Sequence, residues 1–166
     1  PRLESKLQVL CDLPYSMEIY IRGGDPLLLE FIRLRGKIAH QRPAEMHETL
    51  ARVTHVISQG GAMLASEALA AGLPHLMLPL HRETELNATL VLRSAAGRSI
   101  DPAASAPQFK AGLDAFVADV ELERRTLDLA RLLSERPLPD AGDELLSALA
   151  RWAPRQESAA PRTAPQ

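Results

Sequence analysis

The feature that most constrains this chain is an alternation. Short β-type runs take turns with longer runs of helical periodicity over most of its length. Met17, Ile19 and Ile21 alternate with Glu18, Tyr20 and Arg22, which predicts a strand ending at Gly23-Gly24. Lys37 to His40, Val53 to Ile57, Leu76 to Leu78 and Arg98 to Ile100 read as further short strands. Between them the spacing turns helical. Leu3, Leu7, Leu10 and Cys11 fall on one face of Pro1 to Cys11. Asp25 caps a helix that carries Pro26 in its first turn and runs to Arg35, where Gly36 stops it. Pro43 opens a helix over Glu45 to Arg52, Ala62 to Ala71 is closed by Gly72 and Pro74, and Glu83 to Ala96 is stopped by Gly97. Strands separated by helices pair in parallel, because a parallel pair needs a crossover of a dozen or more residues. The predicted fold class is therefore α/β, a Rossmann-like parallel sheet flanked by helices on both faces. Ligands of such sheets sit at the carboxyl ends of the strands. That rule singles out Gly23 to Asp25, Ser58 to Ala62, and Pro79 to Glu83.

Size and composition fit one domain. The chain has 166 residues, of which 46% are apolar and only 4% aromatic, so the core is aliphatic. A formal net charge of −2 gives no broad basic field, which argues against nucleic acid as a partner. The single cysteine, Cys11, makes no internal disulfide, consistent with a reducing compartment, and the expected location is the cytoplasm. No apolar run approaches the roughly 20 residues that span a bilayer. The first residue is Pro1 rather than Met and the first stretch is already helical, which suggests an excised piece of a longer protein. Helices are also predicted over Pro107 to Ala118, Glu121 to Ser134 and Asp140 to Trp152. The tail from Pro154 to Gln166, rich in Pro, Ala, Ser and Gln, is predicted to be disordered. The expected domain is thus 1–153, with the tail at 154–166.

The central turn carries the chemistry. Gly60 and Gly61 follow a strand and precede a helix, so a ligand can approach the backbone closely there. The helix behind them offers free N–H groups and a partial positive charge. Together these make a cradle for a diphosphate. The pattern is neither GxGxxG nor a P-loop, and a glycine pair also occurs in many turns for steric reasons alone. Glu67 lies about one and a half turns into the helix, among small apolar residues. A carboxylate there can accept from both hydroxyls of a ribose, although spacing alone would make it a solvated surface residue.

Taken together, Gln59-Gly60-Gly61-Ala62-Met63-Leu64-Ala65-Ser66-Glu67-Ala68-Leu69-Ala70-Ala71-Gly72-Leu73-Pro74, followed by Pro79 and Asn87-Ala88, resembles the donor-site signature of UDP-glycosyltransferases. The stretch Gly61 to Glu67 is also similar to the matching segment of MurG, the peptidoglycan N-acetylglucosaminyltransferase. The resemblance spans roughly Met17 to Ile100 in pattern. It implies the C-terminal, nucleotide-sugar-binding half of a GT-B fold, with the first strand of that domain missing. By position, Gly60, Gly61 and the N–H groups near Ala62 and Met63 would face the diphosphate, and Glu67 would hold the ribose. Glu83 would meet the donor sugar with Thr84 beside it, and the backbone around Pro43 would border the base. No metal or cofactor is implied; the donor substrate would be a UDP- or TDP-sugar.

The sequence also departs from that signature. Gln59 stands where a histidine usually contacts the diphosphate, Met63 where a Gly or Asn is usual, Leu64 where a hydroxyl residue is usual, and Thr84 where a Gln often follows the acidic residue. Each lost hydrogen bond would weaken donor binding by about 0.5–1.5 kcal/mol. The five histidines, His40, His47, His55, His75 and His81, show no compact metal-ligand spacing. His55 and His75 read as core histidines, and His81 as a candidate to face the donor. Arg22 and Asp25 flank a second turn that could line the same cleft.

The expected function is donor binding for transfer of a hexosyl group to an acceptor held by an absent N-terminal domain or a partner subunit. This chain alone is then expected to be inactive. Peripheral membrane contact is possible through the missing half. The rival expectations are a donor subunit of a split transferase, a degenerate binding or scaffold domain, and a nucleotide-sugar epimerase on the same fold.

Overall fold

The computed structural model describes residues 2–135, which fall in one compact unit. The helix expected at Asp140 to Trp152 and the tail at 154–166 lie outside the described residues.

Strands and helices alternate as the periodicity predicts. The order is α1 (Arg2–Asp12), β1 (Glu18–Tyr20), α2 (Pro26–Leu34), β2 (Ile38–His40), α3 (Met46–Leu50), β3 (Val56–Ser58), α4 (Ala62–Ala70), β4 (His75–Met77), α5 (Arg82–Arg93), β5 (Gly97–Ser99), α6 (Ala106–Val117) and α7 (Val120–Glu135). Local signals set the boundaries. Asp25 Oδ1 accepts from Leu27 N at 2.8 Å and starts α2. Ser105 and Gln108 form a capping box at the start of α6. α4 ends in a Schellman motif, with Gly72 N donating to Leu69 O at 3.1 Å and Leu73 N to Ala68 O at 2.9 Å. α5 ends at Arg93, short of the expected Ala96, because Ala95 turns left-handed at φ 54°.

All strand pairs are parallel, but they form two sheets rather than one. β1 pairs with β2, while β4 lies between β3 and β5. β3 starts at Val56, three residues later than the apolar run suggests, because Ala51 to His55 turns before entering the sheet. The central strand β4 is buried throughout and packs on both faces. Leu76 joins Phe109, Leu113 and Phe116 of α6. Met77, one residue on and on the opposite face, joins Ala65 of α4 and Ala88 and Val91 of α5. Helices therefore cover both faces, as expected for a Rossmann-like sheet. A separate cluster, Leu7 and Cys11 of α1 with Leu29, Ile32 and Ala39, holds α1 and α2 onto the β1–β2 pair. Burial pushes the Cys11 thiol up in pKa and leaves it protonated.

No helix among the described residues is long and apolar enough to cross a membrane.

Candidate functional site

Two of the three turns singled out in the sequence meet at the carboxyl ends of β3 and β4. The register sets Ser58 opposite Met77, so the turn after β3 and the loop after β4 leave the sheet side by side. Asn87 of α5 joins them, its Nδ2 donating to Gly60 O at 2.9 Å. The two glycines differ in their roles. Gly60 has φ +89°, and a Cβ there would sit 3.1 Å from Met77 Sδ and 3.4 Å from Thr84 O. The fold itself thus requires a glycine at 60. Gly61 has ordinary extended geometry (φ −61°, ψ 140°), and a Cβ added to it would meet nothing within 4 Å. No packing demand explains Gly61; the space over it is open.

Gly61 is also the N-cap of α4 and offers no side chain to bond the first-turn N–H groups. The N–H groups of Ala62, Met63 and Leu64 precede the first intrahelical bond, which Ala65 N makes to Gly61 O at 3.0 Å. Uncapped donors, the positive end of the helix dipole and open space above Gly61 thus coincide.

The other sequence-predicted residues fall into two groups. Gln59, Ala62, Met63, Glu67 and Glu83 are exposed, and nothing among the described residues engages the side chains of Gln59, Glu67 or Glu83. Glu83 lies in the first turn of α5. Thr84 is buried, at 3% exposure, and its hydroxyl is fully used. It accepts from Leu80 N at 3.1 Å and His81 N at 3.2 Å and donates to His81 O at 2.8 Å. Thr84 therefore shapes the loop after β4 instead of facing outward. His81 is the N-cap of α5 and exposed. The Arg22 to Asp25 turn belongs to the other sheet, where Asp25 is occupied in capping α2.

The structure gives Ser58, the first residue of the central glycine turn, and His75 of β4 side-chain roles that the sequence did not reveal. Ser58 Oγ accepts from Gly60 N at 2.9 Å and lies 2.7 Å from His75 Nε2. His75 is 1% exposed, and its Nδ1 has no partner. Burial lowers its pKa to about 4, so the ring is neutral at pH 7. A buried histidine on β4 thus holds the serine that holds the glycine turn. His55, expected in a core strand, lies just before β3 with its ring against the core. It is edge-on to Phe116 at 5.1 Å, with Nε2 3.3 Å from Glu123 Oε1 but out of hydrogen-bond alignment. Among the described residues no group of three or more His, Cys, Asp or Glu could hold a metal ion.

No protein-family model matches the chain. No curated protein matches it either. Solved structures do. The calicheamicin glycosyltransferase CalG4 superposes with a TM-score of 0.68 at 24% identity, covering 92% of this chain and 40% of its own. The spinosyn rhamnosyltransferase SpnG, complexed with thymidine diphosphate, gives 0.70 at 22% identity over 88% of this chain and 40% of its own. The glycosyltransferase SnogD from Streptomyces nogalater gives 0.64 at 23% identity over 88% and 39%. The chain spans about 40% of the length of these structures. The chain has the parallel α/β fold of the C-terminal half of a GT-B glycosyltransferase.

Proposed function

We propose that the chain is the donor-binding half of a glycosyltransferase and holds the diphosphate of a nucleotide-sugar over Gly61 and the start of α4. The observation that carries this reading is the coincidence of uncapped α4 donors with a glycine that the fold does not otherwise need. The order of residues from Gln59 to Asn87 supports it, as does the thymidine diphosphate named with one structural neighbour. In this reading the N–H groups of Ala62 and Met63 bind the diphosphate, Glu67 accepts from the ribose, and Glu83 meets the sugar. Gln59 donates a neutral hydrogen bond. Thr84 acts only through the loop it shapes.

The contribution to catalysis is electrostatic. As the glycosidic bond breaks, negative charge grows on the departing diphosphate, and fixed N–H dipoles aimed at it favour that state over the ground state. The acceptor and its base would come from the other half of a two-domain enzyme or from a partner subunit.

Calorimetric titration with UDP, TDP and their sugars tests the reading. Binding at micromolar to millimolar concentration, weakened by Glu67→Ala, is the expected result. Absence of binding at millimolar nucleotide in the protein expressed from its whole reading frame would instead favour a scaffold domain that has lost donor chemistry. Unchanged affinity in Glu67→Ala would remove Glu67 from the site.

A further inference from the structure

The turn after β3 is built on the peptide that side chains restrain least, the one joining Gly60 to Gly61. A peptide between two glycines rotates at little steric cost, and its two orientations offer a ligand opposite things. One presents the N–H of Gly61. The other presents the carbonyl of Gly60, which repels an anion. The structure holds this peptide in one orientation from two sides. Gly60 N donates to Ser58 Oγ at 2.9 Å, and Gly60 O accepts from Asn87 Nδ2 at 2.9 Å. Both main-chain groups of Gly60 are thus satisfied by side chains, one from the end of β3 and one from α5. Gly60 itself is buried, with Met77 Sδ and Thr84 O closing the space where a side chain would stand.

The N–H of Gly61 is the other end of the same planar unit. In a trans peptide, as this one is, the carbonyl and the following N–H point in opposite directions. Asn87 draws the Gly60 carbonyl toward α5, so the Gly61 N–H points away from α5. Gly61 is exposed, and its N–H has no partner among the described residues. It is a fourth free donor, next in sequence to those of Ala62, Met63 and Leu64. Asn87 has no other visible task. It lies past the first turn of α5, where no cap is needed, and among the described residues its side chain bonds Gly60 O alone. Asparagine is a poor residue for a helix interior, and a leucine or alanine would serve α5 better.

We propose that Asn87 is a positioning residue of the donor site: by holding the Gly60 carbonyl it aims the Gly61 N–H at the diphosphate and keeps the carbonyl turned away from it. The proposal rests on the reading that a diphosphate lies at the start of α4. A donor fixed in this way needs no reorganisation when the anion arrives.

Two measurements on the protein expressed from its whole reading frame test it. The first needs no nucleotide and follows the N–H residual dipolar coupling of Gly61, which reports the direction of that bond. In the parent it is expected to fit the orientation found here. Asn87→Leu keeps the bulk and suits a helix but removes the donor, and Asn87→Asp keeps the arm and removes the donor. In both, the Gly61 coupling is expected to depart from the parent value while the amides within α4 and α5 keep theirs. An unchanged Gly61 coupling in both variants would overturn the proposal. The second is calorimetric titration with UDP and TDP, with uridine and thymidine as controls. Asn87→Leu is expected to weaken the diphosphates at least about tenfold, as for one hydrogen bond to a charged group, and the nucleosides less than about twofold. An equal loss for nucleoside and diphosphate would show a general loosening of the site and overturn the positioning role. If the parent binds neither diphosphate, the donor reading falls and the role of Asn87 falls with it. If the parent binds and Asn87→Leu binds equally well, only the role of Asn87 falls.

Discussion

Replacing Ser58 with alanine removes the link between a buried histidine and the glycine turn, and its cost can be worked from the contacts. Ser58 Oγ is the partner of His75 Nε2 at 2.7 Å and accepts from Gly60 N at 2.9 Å. His75 is 1% exposed and its other ring nitrogen already has no partner, so Ser58→Ala leaves the whole ring without a hydrogen bond. Orphaning a buried polar group costs roughly 1–3 kcal/mol, and the lost Gly60 bond adds about 0.5–1.5 kcal/mol. The expected destabilisation is about 2–4 kcal/mol. At about 3 °C per kcal/mol for a chain of this size, Tm falls by roughly 6–12 °C. Urea unfolding with a constant m-value measures it directly. The double variant Ser58→Ala with His75→Leu sharpens the test, because replacing both partners with apolar groups avoids the orphaned ring. It should recover at least about 1 kcal/mol of the single variant's loss. A Ser58→Ala protein within about 0.5 kcal/mol of the parent, or a double variant no more stable than the single, would refute the role given to this pair.

Further outcomes follow from the same contacts. His75 has its pKa lowered to about 4 by burial, so the unfolded chain takes up this proton first as pH falls. Stability is fully present above pH 6.5 and declines toward pH 4, by up to about 3 kcal/mol; His75→Leu should flatten that part of a pH–stability curve. Glu18 acts in a lower window. Arg52 and then His40 bond its carboxylate and hold its pKa at about 2, so its contribution is complete above pH 4.5 and lost as pH falls toward 2. Because the Arg52 side chain is 50% exposed, Glu18→Gln should cost only about 1 kcal/mol at pH 7, read by denaturant unfolding. The two glycines should separate stability from binding. Gly60→Ala forces a side chain to φ +89° and against Met77, and should cost at least about 1–2 kcal/mol by thermal unfolding. Gly61→Val should leave Tm nearly unchanged and weaken diphosphate binding at least about tenfold by calorimetry, because its side chain would enter the open space above α4.

Much of the architecture was legible because it rests on periodicity. Each predicted strand from Met17 to Ile100 has a counterpart, and the helices between them follow their punctuation, as at Asp25-Pro26 and Gly72. The division into two sheets was not legible, because edge pairing depends on neighbours that no local pattern encodes. The site was legible in part. Glycines between a strand and a helix mark the turn, but only the backbone geometry separates Gly60, which the fold demands, from Gly61, which it does not. The Ser58–His75 pair was hidden because it is a diagonal contact between β3 and β4, set by the register that places His75 opposite Val56. The loop bonds of Thr84 were hidden for a related reason. Its hydroxyl caps its own loop, a local bond that a matched position in a donor signature does not reveal.

The most direct measurement of the central claim follows backbone amide shifts while UDP or TDP is titrated in, with uridine and thymidine as controls. The largest changes are expected at Gly61, Ala62 and Met63, with the diphosphates and not with the nucleosides. Changes centred elsewhere, or the same pattern with nucleoside alone, would contradict a diphosphate held at the start of α4.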